Sequence, residues 1–166
     1  MSGKKLNQDF IPAVEWSSAI LPILKEGHEL KLPLSGRSMH PLLLGGRDEV
    51  VIKLIDNMKL KRGDIVLYCR DDGTHVLHRI HHIKNYSYYM LGDAQTWIEG
   101  PIDDTQVLAV AVYIIRKGRT ISCSGKTYRL ISELWLILRP VRPLILFLAT
   151  HIWSLIKKFI PAKHTQ

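Results

Sequence analysis

The 166-residue sequence has only two cysteines, Cys69 and Cys123. Two thiols are too few to form a metal site by themselves, and their spacing matches no redox motif. The sequence also lacks a long apolar N-terminal run, because Lys4 and Lys5 are soon followed by the polar residues Asn7, Gln8 and Asp9. Neither a signal peptide nor an N-terminal membrane span is therefore expected.

Acidic residues are nearly absent from the last quarter of the chain. From Gly125 onward the only acid is Glu133, against seven lysines and arginines, so this segment carries 7 − 1 = +6 of the net charge of +8. A basic segment can meet the phosphates of nucleic acid or of lipid. Because this segment is also very apolar, lipid is the favoured partner and no nucleic acid is expected.

The middle of the chain has the pattern of short strands. Val50, Ile52 and Leu54 alternate with Val51 and Lys53. Further strand candidates lie at residues 65–69, 75–83, 86–91 and 107–115, separated by turn signals such as residues 71–73. Several short strands with turns between them predict a mainly β domain.

Helical periodicity flanks this β region on both sides. Residues 11–27 are predicted to form a helix that ends at Gly27, and a wide apolar stripe at residues 130–138 predicts another. Two prolines in residues 139–143 break the stripe before a second apolar segment at 144–160. We therefore expect an N-terminal helix in residues 1–28, a β domain in 29–124 and a basic, apolar helical tail in 125–166.

Residues 35–41 form the first motif that suggests chemistry. Ser38 needs a base to become a nucleophile, and Gly36 permits a tight bend beside it. Backbone N–H groups in such a bend can hold an oxyanion. From composition alone, the same residues also read as a loop without chemistry.

The base is sought among the histidines of residues 75–82. Alternate side chains of a strand share a face, which groups His78 with Val76 and Ile80. A partly buried neutral histidine can take the proton of a serine. A solvated or metal-binding histidine cluster is the alternative, but no thiolate or carboxylate is interleaved at ligand spacing. No metal and no cofactor is therefore expected.

Two acids, Asp93 and Glu99, follow the histidine strand. A carboxylate can orient the histidine or support the site, and both residues are candidates for such roles. The pair Gly92-Asp93 is also ordinary turn chemistry.

Together these motifs resemble those of the S24/S26 peptidase superfamily, which contains the type I signal peptidases and the LexA-type self-cleaving proteins. Ser38-Met39-His40-Pro41 is similar to its serine box, residues 61–66 to its Gly-Asp-hydrophobic box, and Leu91-Gly92-Asp93 to its Gly-Asp-Asn box. The resemblance covers about residues 30–118. It implies a signal peptidase/LexA-like β domain with one N-terminal helix and a C-terminal helical tail.

The base distinguishes the branches of this superfamily. His78-Arg79 lies 78 − 38 = 40 residues after the serine and resembles the histidine branch, found in the endoplasmic reticulum, archaea and some bacteria. The resemblance implies Ser38 as nucleophile, His78 as base, and signal- or leader-type precursor peptides cut beside small side chains. Two departures are Ala94 in place of the asparagine and Glu99 in place of the later aspartate.

Two other functions stay open. A LexA-type self-cleaving regulator needs a DNA-binding domain, but only 38 − 1 = 37 residues precede the serine, too few for a helix-turn-helix module. A catalytically inactive, membrane-associated interaction protein is the second alternative, and the missing asparagine favours it.

The tail is predicted to lie on a membrane. As a helix, residues 144–160 would reach about 25 Å, less than the ~30 Å hydrocarbon core. Polar and apolar residues lie on opposite faces, with Lys157 and Lys158 at one end and Arg139 and Arg142 at the other, which is typical of a helix on anionic lipid. The expected location is the surface of the bacterial cytoplasmic membrane. Packing of the tail on the β domain and a short or tilted span are the alternatives.

Overall fold

The mainly β architecture predicted from the alternating pattern is confirmed. The computed structural model describes residues 13–55 and 59–159, with side chains from 19 to 152 within those ranges. Helix α1 (Ala13–Lys25) precedes the sheet, and α2 (Lys126–Ile137) and α3 (Arg142–Phe159) follow it. Residues 11, 12 and 160 of the predicted helices lie outside the described residues.

Eight strands of the described part form one antiparallel sheet. They are β1 (Leu30–Pro33), β2 (Asp48–Leu54), β3 (Ile65–Cys69), β4 (His75–Lys84), β5 (Ser87–Leu91), β6 (Glu99–Ile102), β7 (Val107–Arg116) and β8 (Arg119–Ser122). Their spatial order is β1-β2-β7-β3-β4-β5-β6, with β8 paired to β7. Strand β3 therefore lies between β7 and β4, and four of its five residues are buried.

The sheet separates two hydrophobic cores. Successive residues of a strand point to opposite faces, so β3 sends Leu67 to one core and Val66 and Tyr68 to the other. The first core also contains Met39, the neighbour of Ser38. Burial of a side chain of this size contributes about 1.5–3 kcal/mol, which fixes the serine loop to the sheet. The second core contains Ile80 of β4.

Helix α2 packs on the sheet with a side that buries Ser132, Trp135 and Leu136. Ser132 is buried and accepts a hydrogen bond from Arg79 at 2.9 Å. The indole N–H of Trp135 donates to the carbonyl of Asp93 at 2.9 Å. A surface helix normally buries its large apolar side chains. Helix α2 leaves four of them exposed: Leu130, Ile131, Leu134 and Ile137.

This exposed surface, here called the tail face, continues from α2 into α3. Ten large apolar side chains form it: Leu130, Ile131, Leu134, Ile137, Leu138, Val141, Leu144, Phe147, Leu148 and Ile152. Leu130 is 61% and Ile137 is 65% exposed. Side chains three and four positions apart lie on one side of a helix, so these residues make continuous stripes.

Arg142, expected to meet lipid phosphates, is instead completely buried. Its guanidinium donates to the carbonyls of Gly92 at 3.1 Å, Gln95 at 2.9 Å and Trp135 at 2.8 Å. The expectation is wrong for this residue, because three buried carbonyls need a donor that water cannot supply there. The start of α3 is thereby bound to the loop of residues 92–95.

Candidate functional site

Ser38 lies in the turn after β1, and its main chain is fixed against the loop of residues 92–94. The N–H of Ala94 donates to the carbonyl oxygen of Ser38 at 2.8 Å. A Cβ at Gly92 would lie 2.7 Å from the same oxygen, so only glycine permits this approach. The serine motif and the Gly-Asp motif are therefore in direct backbone contact. Because a backbone N–H makes this contact, the absence of the asparagine side chain at Ala94 leaves it intact.

Asp93 forms a buried ion pair with Arg79. Both side chains are 0% exposed, and two hydrogen bonds of 3.0 and 2.8 Å join the guanidinium to the carboxylate. Arg79 also donates to the carbonyl of Gly63 at 2.9 Å. The pair ties the loop of residues 92–94 to β4, so Asp93 supports the backbone around Ser38.

His78 precedes Arg79 in β4, so the two side chains point to opposite faces of the sheet. It is 1% exposed, and its Nδ1 lies 3.2 Å from the hydroxyl oxygen of Tyr68 and 3.9 Å from Oε2 of Glu99. Burial lowers the pKa of His78 to about 4. The imidazole is therefore neutral at pH 7, which is the form that can accept a proton.

Glu99 stands at the start of β6 beside His78. Arg70 donates two hydrogen bonds to its carboxylate, at 2.5 and 2.6 Å. These bonds hold the pKa of Glu99 below its usual value, so the group stays ionised. Of the two candidate acids, Glu99 lies near His78, whereas Asp93 lies on the loop that contacts Ser38.

An open groove of about 620 Å³ lies beside Ser38. Its lining is mostly apolar and consists of residues 32–36, Ser38, Met39, Leu43, Gly45, Val50, Leu67 and residues 72–77. Of the described residues, those lining the groove include Ser38 and His75 and leave out His78. Strand β1, which forms one wall, pairs only with β2 in the described part of the sheet. Its other edge has free backbone groups that can pair with an extended peptide.

Ser38 and His78 are connected through other groups rather than directly. The hydrogen bonds within residues 13–55 and 59–159 include none between the two residues. They are joined through Arg79, Asp93 and the backbone of Ala94. Among the described residues, the structure therefore does not bring Ser38 and His78 together as a hydrogen-bonded nucleophile and base.

The other histidines of β4 lie apart from this arrangement or at its edge. Nδ1 of His81 is 2.8 Å from Nδ1 of His82, and His82 stacks on Tyr89 at 4.3 Å. His75 lines the groove with Ser38, and burial lowers its pKa. Among the residues that the structure describes, no three or more His, Cys, Asp or Glu residues are grouped to hold a metal ion.

Sequence analysis did not identify Tyr68, Arg70 or the inner side of α2 as parts of the site. Tyr68 is the one hydroxyl in the apolar run of β3, and Val66, two residues earlier, pairs with His78. This pairing places Tyr68 near His78, but it can be recognised only once the register of the strands is known.

The motifs that resemble the S24/S26 superfamily are short, and their meaning depends on whether the chain brings them together. The structure brings the serine and Gly-Asp motifs into backbone contact and ties the Gly-Asp motif to the histidine strand. Comparison of the whole chain with models of protein families and with curated proteins finds no match.

Proposed function

We propose that this protein is a serine endopeptidase that cleaves signal- or leader-type precursor peptides, with Ser38 as nucleophile and His78 as base. The observation that carries the proposal is the environment of His78. The imidazole is buried and neutral, its Nδ1 lies within hydrogen-bond distance of the Tyr68 hydroxyl, and Glu99 lies 3.9 Å from the same nitrogen. The other ring nitrogen, Nε2, is then the one left to accept a proton.

The reaction follows from these groups. Ser38 Oγ attacks the carbonyl carbon of the peptide bond, and His78 takes the hydroxyl proton. His78 then gives this proton to the leaving amine, and an ester forms on Ser38. Water attacks the ester, its proton passes to His78, and release of the new carboxyl group returns a proton to Ser38. The net change is hydrolysis of one peptide bond.

The groove supports a peptide as the substrate. An extended segment can pair with the free edge of β1 and place its side chains among Leu32, Met39 and Leu77. The resemblance to signal peptidases favours small side chains beside the cleaved bond. A groove of about 620 Å³ has room for larger apolar side chains further along the same segment.

A catalytically inactive interaction protein is the second candidate. One observation favours it: within the described residues, Ser38 makes no hydrogen bond with His78. The same groove would then bind a peptide without cutting it. A phosphonate probe that reacts with activated serines separates the two functions, because labelling of Ser38 requires a working base.

Cleavage and its pH dependence test the peptidase function. Incubation with leader-type precursors is expected to produce new amino termini, detected by mass spectrometry. The neutral form of His78 is the base and is lost as pH falls through its pKa of about 4. Cleavage should therefore persist well below the ordinary histidine pKa of about 6.5 and fall only near pH 4.

Folding must be followed at each pH of this experiment. Because the pKa of His78 is lowered in the folded chain, between about pH 6.5 and 4 the unfolded chain binds a proton at this residue and the folded chain does not. The free energy of unfolding therefore decreases as pH falls through this range. Circular dichroism detects any unfolding. An acidic limb near pH 6.5 in folded protein would contradict the lowered pKa of His78, and unchanged turnover in His78→Ala would exclude His78 as the base. No new termini and no labelling of Ser38 would exclude the peptidase.

We further propose that the tail face lies on the surface of an anionic membrane. None of the described helices is both long enough and apolar enough to cross a bilayer. The tail face instead presents apolar side chains along the sides of α2 and α3. Water contact with so many large apolar groups is unfavourable, and contiguous patches of this kind mark interaction surfaces.

The charges and aromatics near the tail face favour lipid over a second protein. Lys126 is exposed at the start of α2, and the only acid after Gly125, Glu133, is paired with Arg62. Trp97 is 62% exposed and follows Thr96, whose carbonyl accepts a hydrogen bond from Arg139 beside α2. Tryptophan and basic residues around an apolar surface suit the headgroup region of an anionic bilayer.

Sedimentation with vesicles tests this attachment. The wild type is expected to sediment with phosphatidylglycerol vesicles and much less with phosphatidylcholine vesicles. The double variant Leu134→Glu/Ile137→Glu should bind about 10- to 100-fold more weakly, because it removes two apolar contacts and adds two repelled charges. Ile83→Glu makes the same change at an exposed position of β4 and should bind as the wild type does.

Two results would contradict membrane attachment. One is equal sedimentation of the wild type and the double variant. The other is a wild type that stays in the supernatant and elutes as a dimer from a sizing column while the double variant elutes as a monomer. In the second case the tail face joins two copies of the chain.

A further inference from the structure

The hydroxyl group of Tyr68 lies beside Nδ1 of His78, and the carboxylate of Glu99 interacts with both residues. The hydroxyl oxygen is 3.2 Å from Nδ1 of His78, while the nearest carboxylate oxygen of Glu99 is 3.9 Å from the same nitrogen. Tyr68 is fully buried, so water does not compete for its hydroxyl. The position of one proton in this group decides which nitrogen of His78 is free.

The protonation state and charge of each group restrict where that proton lies. Burial raises the pKa of Tyr68 and lowers that of His78, so both are neutral. The two hydrogen bonds from Arg70 lower the pKa of Glu99, which is therefore an anion and only an acceptor. The hydroxyl has one hydrogen to donate, either to His78 or to Glu99.

Donation to Glu99 is the stronger arrangement. A hydrogen bond to a carboxylate is roughly twice as strong as one between neutral groups. Donation to His78 would leave the oxygen lone pairs of Tyr68 directed at the carboxylate. When the hydroxyl donates to Glu99, its lone pairs face Nδ1 of His78, which must then carry the hydrogen.

We propose that Tyr68 holds His78 in the tautomer protonated at Nδ1, and that Glu99 acts on His78 through the hydroxyl of Tyr68. Tyr68 is a positioning residue: it leaves Nε2 with a free lone pair. The use of that lone pair to take the proton of Ser38 rests on the proposed peptidase function, whereas the tautomer itself does not.

Nuclear magnetic resonance of the full-length protein tests the tautomer without any substrate. Histidine labelled with ¹⁵N is read at pH 7, and the His78 signals are identified by their loss in His78→Asn. The wild type should show hydrogen on Nδ1 and none on Nε2. In Tyr68→Phe, which removes only the hydroxyl, the form protonated at Nε2 should become populated.

Activity provides a second measurement on the same variants. Tyr68→Phe should lower kcat about 10- to 100-fold with little change in KM, because the wrong tautomer has no lone pair to offer Ser38. Tyr88→Phe is the matched control, since its hydroxyl bonds only to Asp104 in the described structure. It should change neither the tautomer nor kcat.

Two observations would overturn the proposal: a wild-type His78 protonated at Nε2, or an unchanged tautomer in Tyr68→Phe. A tautomer protonated at Nδ1 that shifts in Tyr68→Phe supports the proposal even if no peptide is cleaved. That combination would reject the peptidase function alone.

Discussion

Replacement of Ser38 by alanine is expected to lower kcat/KM by about four to six orders of magnitude without unfolding the protein. The variant loses the oxygen that we propose attacks the peptide carbonyl. The carbonyl of Ser38, which accepts from Ala94, remains. Turnover of a cleaved precursor is measured beside circular dichroism, with Ser124→Ala, an exposed serine outside the groove, as the control.

The same experiment decides between the two candidate histidines, His75 in the groove and His78 outside it. His78→Ala should reduce turnover about as much as Ser38→Ala, and the double variant should be no worse than either, because nucleophile and base act as one unit. His75→Ala should keep most of the activity, although His75 lines the groove. His81 and His82 should tolerate alanine as well. Loss of turnover in His75→Ala with activity retained in His78→Ala would transfer the role of base to His75.

Removal of the carboxylate of Asp93 is expected to cost about 3–5 kcal/mol of the free energy of unfolding. The variant Asp93→Ala leaves the guanidinium of Arg79 buried without its anion. A domain of this size has only about 5–15 kcal/mol in total, so much of the protein should unfold under mild conditions. Urea unfolding followed by circular dichroism measures the change.

An exposed ion pair provides the control for Asp93. Glu133→Gln breaks the pair with Arg62, in which both side chains are 38% exposed. This change should cost less than about 1 kcal/mol, because water replaces the lost partner. Equal effects of the two substitutions would show that the buried pair is not a main support of the loop.

The fold was predictable where a strand has one buried and one less buried side. Strand β2 alternates in this way, and its place in the sequence was predicted correctly. Strand β6 was missed because it contains Gly100 and Pro101, which argue against a strand. It lies at the end of the sheet, where proline is tolerated because one side needs no backbone donor.

The sequence indicated the motifs of the candidate site but not the contacts between them. Sequence spacing indicated Ser38 and His78 but could not separate the roles of Asp93 and Glu99, because those roles depend on which side of the sheet each acid reaches.

The orientation of the tail helices could not be predicted from the sequence either. A helical period shows that α2 has two unlike sides, but it does not show which side faces the protein. In the structure the inner side is the one with Ser132, whose hydroxyl accepts a hydrogen bond from the buried Arg79.

The attachment of the loop of residues 92–95 to α2 and α3 bears on how this chain can change over evolution. Trp135 and Arg142 hold that loop through its carbonyl groups, and the loop in turn meets the backbone of Ser38. The C-terminal helices are therefore not a module that recombination could exchange for another anchor. An inherited change in the loop would need a matching change in these helices. Substitutions in the last quarter of the sequence should accordingly be correlated with substitutions in the Gly-Asp motif, rather than occur independently of them.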